Sequence, residues 1–409
     1  MATLVGLVAG QQPGRIRQAI PNEDAPALQD PRGLGMPASE ITIAEALKDA
    51  GYHTAHIGKW HVGQTNGMAA HDQGFDESLL MSSGLYLPDG DPRGVSAKLD
   101  FDPIDQFLWS AMNFAASFNG EAQFEPARYL TDYYTDEAVK VIEANKDRPF
   151  FLYLAHWAPH TPLQASREDY DALPQIERHR ERVYGAMIRS LDRGVGRVLE
   201  ALRENGLEDN TLVIFTSDNG GAHYIGLSEV NAPFRGWKIS FFEGGIHVPY
   251  FVKWPARIPP GTVVEEPAHH FDIFATAVAA AGADLPSDRV IDGVDLVPHA
   301  RGEATETTHE KLFWRSGASR SALVDGWKLT LSDPPGRAWL FNLRADPTEQ
   351  NDLSATHPEK VAEILAHLAA HEAEQQEPAW PSSASMPIAI DKDITIPEEP
   401  GDDYIYWSN

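Results

Sequence analysis

The sequence predicts an α/β body with a mixed sheet between helices, carrying a smaller C-terminal α+β sub-domain, and three observations predict it. Continuous apolar runs alternate with amphipathic helical stretches up to about residue 305, the pattern of a sheet covered by helices on both faces. Beyond that point the rhythm changes to short strands at close spacing. The 409 residues, 42% apolar and 23% charged, suffice for two or three domains with a sizeable core, and exclude a disordered, collagenous or coiled-coil chain. The expected divisions are a body at 1–305, a sub-domain at 306–380 and a tail at 381–409.

Residues 1–40, with Pro13, Pro21, Pro26, Pro31 and Pro37 among glycines, read as loop after a short apolar start. Ser39 is placed to cap a helix running through Ile41, Ile43, Ala44, Leu47 and Lys48, with Gly51 as its stop and a strand at 52–57 after it. A loop-rich stretch follows, with DGDPRG and FDPID as turns, then a helix near 127–145. FFLYLA (150–155) reads as a buried strand. Val183, Met187, Leu191, Val195, Val198 and Leu202 recur every three or four residues, which makes 178–204 a helix ended by Gly206. TLVIFTS (211–217) is the next strand and 271–281 the next helix. KLFWR, SALVD, WKLTL and AWLFNL are short antiparallel strands, and 357–373 is an amphipathic helix against them. The tail has six acidic residues and one lysine, but Tyr404, Tyr406 and Trp407 give it the means to dock on the body. There is no internal repeat.

Sixty acidic against 33 basic residues give a formal charge of −27, a field that repels polyanions and argues against a nucleic-acid partner. An anionic substrate then requires a local basic pocket. No stretch approaches the roughly 20 apolar residues of a spanning helix, so the chain reads as soluble, without a transmembrane segment. A signal peptide upstream of Met1 would direct it to the periplasm or outside the cell. The absence of cysteine excludes disulfides, zinc-thiolate sites and thiol catalysis.

In α/β sheets ligands sit beyond the carboxyl ends of strands, and four segments there carry chemistry. In GYHTAHIGKWHVG (51–63), Lys59 and His61 lie between Gly58 and Gly63: a point charge for a tetrahedral oxyanion and a group that titrates where proton transfer needs it. Alone, the fragment reads equally as a glycine turn with an exposed lysine and a packed histidine. In SDNGG (217–221), Asp218 and Asn219 offer hard oxygen ligands suited to calcium or magnesium, although Asp-Asn-Gly is also an ordinary turn. In AHWAPHTP (155–162), Pro159 and Pro162 stiffen the chain around His160, with His156 equally available. In RGWKISFFEGGIHVP (235–249), glycine flanks the approach to Lys238, while Glu243 before paired glycines reads as a support that pins backbone N–H groups. Together, two lysines, two histidines and an Asp-Asn pair make a basic pocket for a tetrahedral anion.

These four segments, in this order, resemble the sulfatase family of the alkaline-phosphatase superfamily. TIAEALKDAGYHTAHIGKWHVG is similar to the second sulfatase signature, FFLYLAHWAPHTPLQ, VIFTSDNGG and RGWKISFFEGGIHVP to later blocks, and ALVDGWKLTL with AWLFNLRADPTEQNDLS to the C-terminal sub-domain. The resemblance implies an alkaline-phosphatase-like fold and a sulfuric ester hydrolase, arylsulfatase-like, acting on a sulfated small molecule or glycan. It implies that Asp218 and Asn219 ligate Ca2+, that Lys59 and Lys238 hold sulfate oxygens, that His61 assists the nucleophile, and that His160 contacts the sulfate and helps protonate the leaving group. His156 has no such counterpart.

The family's nucleophile is a formylglycine, made from the cysteine or serine that opens a Cys/Ser-x-Pro/Ala-Ser/Thr-Arg signature. Aligning Gly10-Gln11-Gln12-Pro13 with the Gly-x-x-Pro that follows it places Met1, Ala2, Thr3 and Leu4 on its last four positions, with Leu4 where the family has arginine. The nucleophile thus falls one residue before Met1, and the first strand, whose paired aspartates would complete the calcium shell, is also missing. The expectation is a sulfatase whose true start lies upstream, inactive in this form. A phosphonate or phosphodiester hydrolase of the same superfamily, and a non-catalytic relative that binds sulfated ligand, are the alternatives.

Overall fold

A computed structural model of the chain describes residues 2–16, 35–82, 84–317, 319–333, 336–376 and 385–408. The body comprises helices α1 (Ala2–Ala9) and α2 (Ile43–Asp49), strands β1 (His53–Gly58), β2 (Glu77–Met81) and β3 (Gly94–Ser96), helix α3 (Pro103–Ala111) and strand β4 (Ala116–Phe118). It continues through α4 (Leu130–Ala144), β5 (Phe150–Ala155), β6 (Gln164–Ser166), α5 (Arg167–Asp171), α6 (His179–Glu204), β7 (Val213–Thr216), α7 (Glu243–Ile246), β8 (Tyr250–Lys253), α8 (Asp272–Ala280) and α9 (Val297–Ala300). Its main sheet has the order β4-β2-β1-β5, parallel across β2, β1 and β5 and antiparallel at β4. One face packs on α4 and α6 through Ile57, Leu130, Tyr134, Ala138, Val183 and Met187. The other packs on α1, α2 and α8 through Val5, Val8, Leu47, Phe75, Phe274 and Val278. Burial on both faces is what the continuous apolar runs required.

Four readings of the sequence change. The short apolar start is not loop: ATLVGLVA forms α1, apolar all round and therefore buried, against α8. Helix α2 is capped by Thr42 and not Ser39, through a full capping box with Glu45. FDPID begins α3, because Asp102 accepts from the backbone N–H groups of Ile104 and Asp105 while Pro103 fills the first helical position. FFLYLA is only half-buried, since β5 ends the main sheet and β7 pairs antiparallel with β8 apart from it. Pro21, Pro26 and Pro31 lie outside the described residues.

The C-terminal part is an antiparallel sheet, β12-β11-β10-β9, built from β9 (Lys311–Ser316), β10 (Ser319–Val324), β11 (Trp327–Ser332) and β12 (Arg337–Asn342). Helix α10 (Pro358–Glu372) lays Ile364 and Leu368 on Leu329, Leu331 and Leu340. The tail forms a hairpin, β13 (Ser385–Ala389) with β14 (Tyr404–Ser408). Its Ile388, Ile390 and Ile405 join Trp339 and Phe341 of β12 and Trp237 and Phe242 of the body in one cluster. Among the described residues no helix is long and apolar enough to cross a membrane.

Candidate active site

Three strand ends and one loop deliver the candidate residues to a common crevice. Lys59 follows β1, its backbone N–H bonded to the Ala155 carbonyl at the end of β5 (2.9 Å). This close approach explains Gly58: at φ 111°, a Cβ would stand 2.0 Å from the same carbonyl oxygen. Asp218 and Asn219 follow β7. The Lys238 loop is tied to them by its own N–H, which donates to the Gly221 carbonyl (2.8 Å). Asn231 fixes both loops, accepting from Gly221 N–H (2.7 Å) and donating to the Gly221 and Gly236 carbonyls.

Lys59 Nζ lies 3.8 Å from Asp218 Oδ2, and Lys238 Nζ lies 3.3 Å from His160 Nε2. His160 Nδ1 is 2.7 Å from the Thr161 carbonyl, so Nδ1 carries the proton and Nε2 faces Lys238 as the acceptor. Trp157 braces the group: its ring stacks on His160 with centroids 3.9 Å apart, and Lys59 Nζ sits 5.1 Å above it. His61 adopts a left-handed φ of 56° and is exposed. Asn219 donates its amide N–H to the Gly220 carbonyl (2.9 Å).

The charges are unbalanced. Burial lowers both lysine pKa values, Asp218 opposing the shift. Burial, then Lys238, pushes His160 down to about 3, and crowding that displaces water, then Lys59, pushes His61 down to about 4. With both histidines neutral, Lys59 and Lys238 face Asp218 alone, a net positive charge in a chain of −27. Two partly desolvated cations facing one carboxylate are a place where an anion binds well.

His156 is not part of this crevice. Its ring turns into the core beside Tyr134, centroids 6.4 Å apart, with neither nitrogen hydrogen-bonded, and burial lowers it to about 4. Glu243 is a support of a kind different from that expected: its carboxylate pairs with side chains, Lys328 at 2.5 Å and His247 at 2.8 Å. Two contributors lay outside the sequence reading. Trp157 stood inside a quoted motif but has no titratable group to draw notice, and His270, which bonds the Ser217 carbonyl beside Asp218 at 2.8 Å, follows no strand.

For a divalent cation the described residues fit poorly. Asp218 supplies one carboxylate and Asn219 one amide oxygen, and among the described residues no group of three His, Asp or Glu is placed to hold a metal ion. Calcium takes about six to eight oxygens, so this pair alone is no calcium cage.

The α/β fold thus carries a cationic crevice at its strand ends. The sulfatase family model matches residues 23–283, and the chain belongs to the sulfatase family. Steryl-sulfatase of Mus musculus is 32% identical over 413 residues, covering 83% of this chain and 62% of that protein. N-acetylgalactosamine-6-sulfatase of Canis lupus familiaris is 33% identical, covering 78% and 60%. The chain thus spans less than two thirds of these relatives' length. The solved structure of Ps i-CgsB in complex with k-i-k-neocarrahexaose matches with a TM-score of 0.77 and 27% identity, covering 93% of this chain and 84% of that one. The architecture is accordingly the alkaline-phosphatase-like mixed α/β fold of the sulfatases.

Proposed function

We propose that the crevice binds sulfate esters and takes part in their hydrolysis. The observation that carries the reading is the unbalanced pair of half-buried lysines: with Asp218 they leave a net charge of +1, which a singly charged sulfate ester neutralises and a dianionic phosphate monoester over-compensates. A singly charged phosphodiester satisfies the same charge balance. In this reading Lys59 and Lys238 hold non-bridging oxygens. His160, its Nδ1–H fixed on Thr161, takes up a proton at Nε2 from Lys238 Nζ and passes it to the leaving oxygen as water attacks sulfur and the S–O bond breaks. The bound anion raises the His160 pKa from about 3 and makes that protonation accessible. His61 serves the nucleophile's side. The chain has no cysteine, and none of the residues named here supplies a covalent acceptor.

Asp218, Asn219 and Lys238 also line one end of a cleft of about 2630 Å³ that passes His247, Trp254, His269 and Trp314. Pockets for small ligands run to roughly 1,000 Å³. The excess volume and the aromatic lining favour a sulfated glycan over a small sulfate ester. Calorimetry of the full chain with 4-nitrophenyl sulfate tests the reading. Lys238→Ala and Lys59→Ala are each expected to weaken binding about 10- to 100-fold, the worth of a hydrogen bond to a charged group. Equal affinity in wild type and Lys238→Ala would remove Lys238 from the site.

A further inference from the structure

A fully buried cation lies outside the crevice. Lys328, on β11 of the sub-domain, has a fully buried side chain (0% exposed) and lies between two carboxylates, Glu243 Oε1 at 2.5 Å and Glu349 Oε1 at 3.0 Å. Glu349, from the loop after β12, also accepts the Glu243 backbone N–H through Oε2 (2.5 Å) and holds a left-handed φ of 58° to do so. The two carboxylates outweigh burial and raise the Lys328 pKa, and Glu243, although buried, is held down to about 2 by Lys328 and His247. Such a cluster contributes little net stability compared with apolar packing, because desolvation offsets the attraction, so its position calls for another explanation.

The position is informative. Glu243 opens α7, and the glycines after it are the surface on which both catalytic-site loops rest. Gly245 O accepts the Gly220 N–H (3.0 Å), and Gly244 N–H donates to Arg235 O (2.7 Å). The contacts admit no side chain: a Cβ on Gly220 would stand 1.8 Å from Gly244 O, and one on Gly244 would stand 2.3 Å from Gly236 O. Whatever fixes α7 therefore fixes the Asp218–Asn219 loop on one side and the Lys238 loop on the other. Two of the groups that hold Glu243 at the start of α7, Lys328 and Glu349, come from the sub-domain.

We infer that Lys328 and Glu349 are positioning residues for the anion site, locking α7 so that the Asp218 and Lys238 loops meet at a fixed separation. The inference rests on the sulfate reading for its ligand, but its mechanical half does not. The test uses the full chain, inorganic sulfate as the probe, and amide exchange at Gly220 and Gly244. A neutral triple variant, Lys328→Met with Glu243→Gln and Glu349→Gln, leaves no unpaired buried charge. It is expected to keep its melting temperature, to bind sulfate at least 5-fold more weakly, and to exchange the Gly220 amide at least 10-fold faster. Lys328→Arg, which keeps the charge, should restore most of the affinity. Glu349→Gln, which keeps size and an acceptor for the Glu243 N–H, decides the matter should the triple variant not fold, with a smaller loss in the same direction. Unchanged affinity and unchanged exchange in a folded variant would overturn the inference. Absence of sulfate binding in the wild type would instead count against the sulfate reading, leaving exchange at Gly220 to decide the positioning role.

Discussion

Between pH 6.5 and 4 the folded chain is expected to lose roughly 6 kcal/mol of stability to two histidines that the crevice does not use. His56 is fully buried, with Nδ1 on Ser78 Oγ at 3.0 Å and Nε2 on the Lys59 carbonyl at 3.2 Å, and burial lowers it to about 4. His156, also lowered to about 4 by burial, has no partner for a second proton. A histidine whose folded pKa lies below its unfolded value near 6.5 stabilises the fold fully above 6.5. That contribution is lost as the pH falls towards 4, because the unfolded chain takes up the proton first. A shift of about 2.5 pKa units corresponds to about 3 kcal/mol for each residue, against a total stability of about 5–15 kcal/mol for an ordinary domain. Denaturant unfolding measured from pH 8 to 4.5 checks this. His156→Phe, which puts an apolar ring where no hydrogen bond is made, should flatten the profile by its own share, about 3 kcal/mol, the remainder belonging to His56 and the other lowered histidines. The same slope in wild type and variant would show that other groups set the acid limit.

Gly220→Ala is expected to dismantle the site more thoroughly than removal of any of its charged groups. The added methyl meets the Gly244 carbonyl oxygen at 1.8 Å, and since both neighbours are backbone nothing can rotate away. The 217–221 loop must part from α7, breaking the Gly220 N–H to Gly245 O bond and shifting Asp218 relative to Lys238. Overpacking of this kind costs about 1–3 kcal/mol, and with the anion's partners displaced the sulfate affinity should fall below detection. The main sheet, which this loop does not build, should persist by circular dichroism. A variant with wild-type affinity would mean that the two loops are not in this contact.

The parts legible in the sequence were those governed by local chemistry. Strand ends beside glycine pointed to Lys59 and Asp218 because a backbone turning sharply after a strand exposes side chains at the sheet's edge, and a glycine on its approach pointed to Lys238 in its loop. The strands of the sub-domain were readable from alternation and turn residues. Helix α1 was not, because an apolar run without period fits loop start, strand and buried helix alike, and only packing on α8 decides. FDPID was misread for a related reason: Asp-Pro serves turns and helix caps with the same atoms. The Lys328 cluster was out of reach, since its members lie 85 and 106 residues from their partners and no local pattern links them. Trp157 was visible as a residue but not as a brace, because its role exists only once His160 stacks on it.

The central claim, that Lys59, Lys238 and His160 surround a tetrahedral oxyanion, is tested most directly by soaking crystals with selenate and collecting anomalous data. Selenate has the shape of sulfate and marks its own position. The account predicts one strong selenium peak in this crevice, with the selenate oxygens within hydrogen-bond distance of Lys59 Nζ, Lys238 Nζ and His160 Nε2, weakened or lost in Lys238→Ala. A saturating soak that leaves this crevice empty, or that places selenium only elsewhere on the molecule, would contradict it.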